Sequence, residues 1–508
     1  MKICRSGKSS WSKAMRWIQL SNITAVLMLA GCVAGDPRLR DSLGATLQTR
    51  AASGATYVAR VIDLETGREL YAHDADRPVM PASNMKLVVS AAGLDLFGPD
   101  HVFQTYLATD GDDLWILGTG DPSLGDPKLS RARGESITAI FDQWHDALIE
   151  HQITSVTGSL VYWDGAFEAQ QIHPSWEHDD LVHWYAAPVS GLNFNDNCLD
   201  INVRPTQGGM PASFDVTPPV TGYTIINQCI TGAPAAPSID RMAYSDVYVL
   251  GGGCDEPTDL KSKPVGNPGA LFADAFRTHL AAKGFEISGA TTSSALPLDD
   301  AMPPAADKII DVYETPIADV LRRINQNSQN LFAECLHKYA GAAYAAQKGL
   351  SAPGSWADGE RAVRDFLRRH DVDNRGFAGR DGSGLSRENR VTARLMTDVL
   401  AAMHTHRYAE SYKASMATAG MGELRRRMKD LDGHLWAKTG YIRGVRALSG
   451  YLKTRGGRWL AFSFIFNDIP SQVAPFNDLQ DAAVRALYEW PNAESAEAAA
   501  TEDAMAWK

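Results

Sequence analysis

The chain has 508 residues, 44% hydrophobic and 21% charged, an ordinary globular balance with room for two or three domains. Acidic residues outnumber basic ones, 60 to 49, for a formal balance of -11. That excess argues against a nucleic-acid partner held through its phosphates.

In chain order, Lys2, Arg5, Lys8, Lys13 and Arg16 precede an apolar stretch strongest over residues 23–30. It is too short for an ordinary transmembrane helix, so residues 1–31 are expected to be an export signal. The signal ends in Leu29-Ala30-Gly31-Cys32, which resembles a bacterial lipobox. That resemblance implies acylation of Cys32 and a lipid anchor; an ordinary cleaved signal, leaving the protein soluble in the periplasm, is the alternative. Val33 follows the cysteine, and the lack of aspartate there favours the outer membrane.

Residues 56–71 read as a hairpin, two alternating runs around Glu65-Thr66-Gly67. Next, Pro81-Ala82-Ser83-Asn84-Met85-Lys86 opens an apolar-periodic segment with Met85, Val88, Val89, Ala92 and Leu96, predicting a buried helix with Ser83 in or just before its first turn. Lys86 then lies one turn along on the same face. A serine hydroxyl needs a nearby base, and a lysine serves if burial or a neighbouring cation lowers its pKa. The spacing alone is weak: Ser10 and Lys13 repeat it in the basic N-terminal segment.

From about residue 105 to 300 the pattern is short strands and loops, with one helical stretch near residues 137–151. An inserted module is expected over 106–299, as two nested parts, with the catalytic domain in pieces 33–105 and 300–491. Thr315-Pro316 reads as an N-cap and first helical residue, and that helix ends at residues 325–330. Trp436-Ala437-Lys438-Thr439-Gly440-Tyr441 precedes two strand-like runs joined at residues 454–457, and then a final helix. The tail, 492–508, is expected to be poorly ordered. No C-x-x-C spacing occurs; Cys229 and Cys254 are the first guess for a disulfide, and Cys335 for a buried free thiol.

Ser83-x-x-Lys86, Ser328-x-Asn330 and Lys438-Thr439-Gly440 occur in the order of the signature set of penicillin-binding proteins and serine β-lactamases. The long stretch between the first two motifs resembles the D-alanyl-D-alanine carboxypeptidase/endopeptidase family typified by penicillin-binding protein 4. Residues 117–124, 195–197 and 381–387 also resemble that family. The resemblance implies an α+β (α/β sandwich), β-lactamase/transpeptidase-like domain with an antiparallel sheet flanked by helices and split by a mostly-β insert. It implies Ser83 as nucleophile, Lys86 as base and Ser328 as proton relay, with substrate held by Asn330, Lys438, Thr439, Gly440 and the Tyr441 N–H.

Arg387 and Arg443 are further candidates, for an acidic group of the stem peptide, and Asp164 and Phe167 for a lip over the cleft. Lys438 and Thr439 are expected to hold a free terminal carboxylate, which would make amidated peptides poor substrates. Tyr441 stands where these enzymes usually carry serine or threonine. Implied partners are peptidoglycan stem peptides and β-lactam antibiotics, with no cofactor and no metal. Two other readings are a β-lactamase-like hydrolase and a catalytically weak envelope lipoprotein that binds peptidoglycan. No Glu-x-x-Leu-Asn segment lies between Asn330 and Lys438, which counts against class A β-lactamase chemistry. Neither His-Glu-x-x-His nor Gly-x-Ser-x-Gly occurs.

Overall fold

A computed structural model describes residues 37–49, 54–242, 245–294, 308–470 and 474–490. The export signal, Cys32 and the 492–508 tail lie outside the described residues.

The structure is organised on a six-stranded antiparallel sheet. Its spatial order is Ala417–Thr418, Leu435–Ile442, Val445–Lys453, Trp459–Asn467, Thr56–Asp63 and Glu69–His73. The expected hairpins are present at both ends of the chain, and the sheet joins them through the register Val58 to Ile465 and Ile62 to Ala461. Alternation along the strands then builds two cores. Ala447, Tyr451, Ala461 and Ile465 face a cluster of helices that includes Met85–Phe97, Ile317–Asn327, Asn330–Gln347 and Ala393–His404. Leu448, Leu452, Leu460, Phe462 and Phe464 face the opposite side, where the helices Pro37–Leu47 and Ala474–Tyr488 cover them. The N-terminal helix of that pair has no counterpart in the sequence expectations.

The Met85–Phe97 helix is buried from Met85 to Leu94 on every side, Lys86 and Ser90 included. It is therefore a central helix rather than an amphipathic one, since a helix apolar on all faces is stable only with neighbours all round. Asp95 near its C-terminal end ties it to two others, accepting from His370 Nε2 at 3.3 Å and His406 Nε2 at 3.1 Å.

A second sheet lies in the region between the first two motifs. It has five strands in the order Thr291–Ser293, Leu160–Trp163, Leu114–Gly118, Val102–Thr109 and Ile309–Pro316. Its two longest strands, 102–109 and 309–316, pair with each other; the first crosses residue 105 and the second lies wholly beyond residue 300. The region holds a second long helix, Pro268–Ala282, besides Ala139–Glu150; Phe272 and Phe276 of the former pack on Phe141 and Trp144 of the latter. A further small β module is built from strands between Cys198 and Pro264.

Two local expectations change. Thr315 does not cap a helix: it ends a strand, its hydroxyl lies 2.8 Å from Ser123 Oγ, and Pro316 takes the N-cap position ahead of Ile317. Cys229 and Cys254 are free buried thiols, as are Cys198 and Cys335. Their strands pair Thr231 with Cys254, so Cys229 sits two residues out of register. That offset, roughly 6–7 Å along the strand on top of the interstrand spacing, exceeds the reach of a disulfide.

The intervening region is anchored to the helix Ile317–Asn327 by a buried ion pair. Arg323 donates to Asp126 Oδ2 from Nε at 2.9 Å and Nη2 at 2.5 Å, and Asp126 Oδ1 caps the helix Pro127–Arg133 through Lys128 N and Leu129 N. Replacing Asp126 by Ala leaves a buried guanidinium without its main counter-charge and a helix without its cap. The expected cost is about 3–5 kcal/mol in chemical denaturation; a loss below ~1 kcal/mol would contradict the pair's anchoring role.

Candidate active site

The three motifs converge from three elements. Pro81 precedes a single 3-10 turn, Ala82–Asn84, which leads without a break into the Met85 helix. Ala82 has φ +46, in the left-handed region that a residue with a Cβ adopts only under constraint from its surroundings. The constraint comes from two glycines. Gly384, at φ +85, lies so near that a Cβ would collide with the Ala82 carbonyl, and a Cβ on Gly440 would fall 2.9 Å from Pro81 O. Gly440 therefore makes room for the serine turn itself, in addition to the substrate contact expected of it.

Ser83 is half-buried at the floor of a cleft of about 540 Å3, and Lys86 Nζ lies 3.0 Å from its Oγ. The Lys86 ammonium also donates to Asn330 Oδ1 at 2.7 Å and to Ser383 O at 2.7 Å, and the side chain is fully buried. Burial lowers its pKa first, the charge of Lys438 lowers it further, and Glu423, Glu334 and Asp381 offset part of this; the result is about 7. A lysine so placed is poised to exchange a proton with Ser83 near neutral pH.

Ser328 and Asn330 reach the cleft because the helix Ile317–Asn327 ends in a left-handed residue, Ser328 at φ 57 and ψ 32. The reversal starts the next helix at Asn330, whose amide N–H is capped by Gln329 Oε1 at 2.9 Å. Asn330 Nδ2 donates to Tyr185 O at 2.7 Å, so its oxygen is left to face Lys86. Lys438, on the strand Leu435–Ile442, is fully buried; its Nζ donates to Ser328 Oγ at 2.8 Å, to Thr439 O at 2.9 Å and to Glu423 Oε2. Thr439 Oγ1 donates to the same Glu423 oxygen at 2.5 Å. Tyr441 is 61% exposed, and the Arg446 guanidinium stacks 3.5 Å over its ring.

Arg387 and Arg443 line the cleft, and both meet one carboxylate of the protein: Glu177 Oε1 lies 2.7 Å from Arg387 Nε, and its Oε2 3.0 Å from Arg443. The lip comes from this Glu177 and from His183, Trp184 and Tyr185. Asp164 instead accepts from Ser190 Oγ at 2.9 Å, and Phe167 is buried against Gly120. In segment 381–387, Asp381 is fully buried and accepts from Gly384 N, Ser386 N, Asn389 Nδ2 and Trp176 Nε1.

Besides Glu177, sequence reasoning passed over two more carboxylates of this site. Glu334 Oε1 and Oε2 accept from Ser383 N at 2.8 Å and Gly382 N at 2.9 Å, fixing the carbonyl that Lys86 uses. A signal for it existed, since Glu334 stands one helical turn beyond Asn330 on the same face. Its own pKa is raised, by burial and by the charge of Asp381. Glu423, in the Gly422–Leu424 turn, has no local signal.

One other grouping of ligand-type side chains occurs among the described residues, Asp95 with His370 and His406. His406 Nδ1 accepts the Tyr408 N–H at 3.2 Å, which leaves the proton on Nε2 facing Asp95, and Arg369 lies 2.6 Å from the other carboxylate oxygen. That donor set suits a hydrogen-bonded knot between helices better than a cation. Among the described residues no helix is long and apolar enough to cross a membrane.

A family model described as "D-Ala-D-Ala carboxypeptidase 3 (S13) family" matches residues 39–488. The D-alanyl-D-alanine carboxypeptidase of Actinomadura sp. (strain R39) is 30% identical over 489 residues, covering 91% of this chain and 86% of that protein. The D-alanyl-D-alanine carboxypeptidase DacB of Haemophilus influenzae is 24% identical over 413 residues, covering 77% of this chain and 80% of that one. Among solved structures, penicillin binding protein 4 from Haemophilus influenzae superposes with a TM-score of 0.73 at 20% identity, over 88% of this chain and 99% of that one. The mixed α+β architecture expected from sequence is shared with it.

The electrostatics can be checked without reference to turnover. In protein labelled with carbon-13 at lysine Cε, Lys86 is expected to titrate near 7, far below the ordinary lysine value of 10.5. Replacing Lys438 by Gln removes a repelling charge and should move that midpoint upward. A Lys86 midpoint above about 9.5, within a unit of the ordinary value, would contradict the arrangement.

Proposed function

Since the chain belongs to the D-Ala-D-Ala carboxypeptidase 3 (S13) family, we propose that it hydrolyses the D-Ala-D-Ala bond of peptidoglycan stem peptides through an acyl-enzyme on Ser83. The observation that carries this reading is the Ser83 Oγ to Lys86 Nζ contact of 3.0 Å, made to a lysine whose pKa is lowered to about 7.

In this mechanism neutral Lys86 takes the Ser83 proton as Oγ attacks the penultimate D-Ala carbonyl. The tetrahedral oxyanion is met by the N–H groups of Ser83 and Tyr441, a type of donor typically worth ~3–4 kcal/mol each. Collapse breaks the amide bond, and the proton passes by way of Ser328 to the departing D-Ala amine. Water then attacks the ester, with Lys86 again as base, releasing the shortened peptide and restoring Ser83. Asn330 holds Lys86 and offers its amide edge to the substrate backbone. Lys438 supports Ser328 by hydrogen bond and keeps the Lys86 pKa low. Cleavage of D-Ala-diaminopimelate cross-links and acylation by penicillin follow from the same nucleophile and are part of the proposal.

Export and anchoring through Cys32 complete the reading, placing the enzyme at the periplasmic face of the outer membrane. They rest on the basic and apolar segments ahead of Leu29-Ala30-Gly31-Cys32.

Ser83→Ala should abolish covalent labelling by a fluorescent penicillin and all release of D-Ala, with an unchanged circular dichroism spectrum. Turnover surviving in that variant would displace Ser83 as nucleophile. For the anchor, wild type should fractionate with membranes and Cys32→Ser should not; release of wild-type protein without detergent would contradict lipidation.

A further inference from the structure

The sequence places Lys438 and Thr439 where a substrate's terminal carboxylate would bind, but in the structure a carboxylate of the protein already sits there. Lys438 has three N–H donors and spends them on Glu423, Ser328 Oγ and Thr439 O. The Thr439 hydroxyl points its proton at the same Glu423 oxygen. No donor of the pair is left over for a ligand.

Glu423 is held in this position by its own turn. Leu424, its neighbour, is fully buried, and Leu424 N donates to Met421 O at 2.9 Å. Gly422 has φ +52 and backs onto the Gln326 carbonyl so closely that a Cβ would collide with it. The turn is thus pinned against the end of the helix that supplies Ser328. The Glu423 side chain keeps 29% of its exposure and lines the cleft. Burial alone would raise its pKa, but the charge and hydrogen bond of Lys438 and the bond from Thr439 bring it below the ordinary value. It is a charged, resident counter-ion at neutral pH.

We infer that Glu423 is a specificity-determining residue that fills the terminal-carboxylate seat, so that the enzyme takes stem peptides whose last carboxylate is amidated or extended about as readily as free ones. The inference rests on the peptidase reading above and reverses one expectation drawn from the motifs alone, that amidated termini should be poor substrates. A free carboxylate entering this seat has to displace Glu423 or lie beside it as a second negative charge around one ammonium. A neutral terminus meets neither cost.

The test is made on binding, in a Ser83→Ala background, so that it does not depend on turnover. Calorimetry with a diacyl-Lys-D-Ala-D-Ala peptide and its C-terminal amide should give dissociation constants within about threefold of each other. Adding Glu423→Gln, which keeps the shape and removes the charge, should tighten the free-acid peptide on the order of tenfold and leave the amide unchanged. Glu423→Asp, which draws the carboxylate back while keeping it, should fall between. An unmoved acid-to-amide ratio, equal weakening of both peptides, or no detectable binding of either peptide to any variant overturns the inference. Penicillin labelling of the Ser83-containing protein is read separately: if it persists while the ratio is unmoved, the peptidase reading stands and the role of Glu423 alone falls.

Discussion

Two fully buried lysines in one cleft set the terms for the rest of the structure. Lys86 and Lys438 would each be deprotonated or driven outward if left alone in an apolar interior, and the charge of Lys438 makes that of Lys86 harder to hold. The fold meets this with acceptors held by backbone and helix. Asn330 and the Ser383 carbonyl serve Lys86, while Ser328, Thr439 O and Glu423 serve Lys438. The balance is incomplete at Lys86, whose three contacts are all to neutral oxygens and whose pKa the charge of Lys438 lowers. Burial and that shortfall in negative charge together bring the Lys86 pKa down to about 7.

The acceptors are useful only if their positions are rigid, and several features of the fold are explained by that need. The Ser383 carbonyl is fixed because Glu334 grips the preceding N–H groups and Asp381 grips those that follow. Ala82 keeps its left-handed conformation because Gly384 and Gly440 close around it from a loop and a strand. The left-handed Ser328 is held at the end of a helix that Arg323 pins to Asp126 of the intervening region. The large region between the first two motifs therefore supports the floor of the cleft and, through Glu177, Trp184 and Tyr185, supplies one of its walls.

Carboxylates of the protein meet the cleft's cations wherever the motifs alone would have left them for a ligand. Glu177 lies on Arg387 and Arg443, and Glu423 on Lys438. The first pair is partly in water and contributes little to stability, so an acidic ligand group could exchange with it at small cost. In the second the ammonium is fully buried although Glu423 keeps 29% of its exposure, so exchange there takes the carboxylate partner from a buried charge. Two contacts drawn alike on paper thus differ in what they allow a substrate to do.

Ser83, Lys86, Ser328 and Lys438 were legible in the chain because each belongs to a short motif with fixed local geometry. Ser83 and Lys86 are one helical turn apart, Ser328 and Asn330 flank one helix junction, and Lys438 to Tyr441 lie along one strand. The hairpins at residues 56–73 and 445–467 were legible for the same reason, since alternation and a turn are local properties. Glu177, Glu423 and the Asp126–Arg323 pair were not, because each joins segments far apart in the chain and nothing in the spacing near any of them marks the partner. The pairing of Cys229 with Cys254 failed on register, a matter of how two strands lie beside each other. Sequence by itself determined which groups could meet in one cleft, through short motifs set on helix and strand periodicity. Only the tertiary structure decided their charge state and which seats remain open, because both depend on burial and on which distant carboxylates the fold brings within reach.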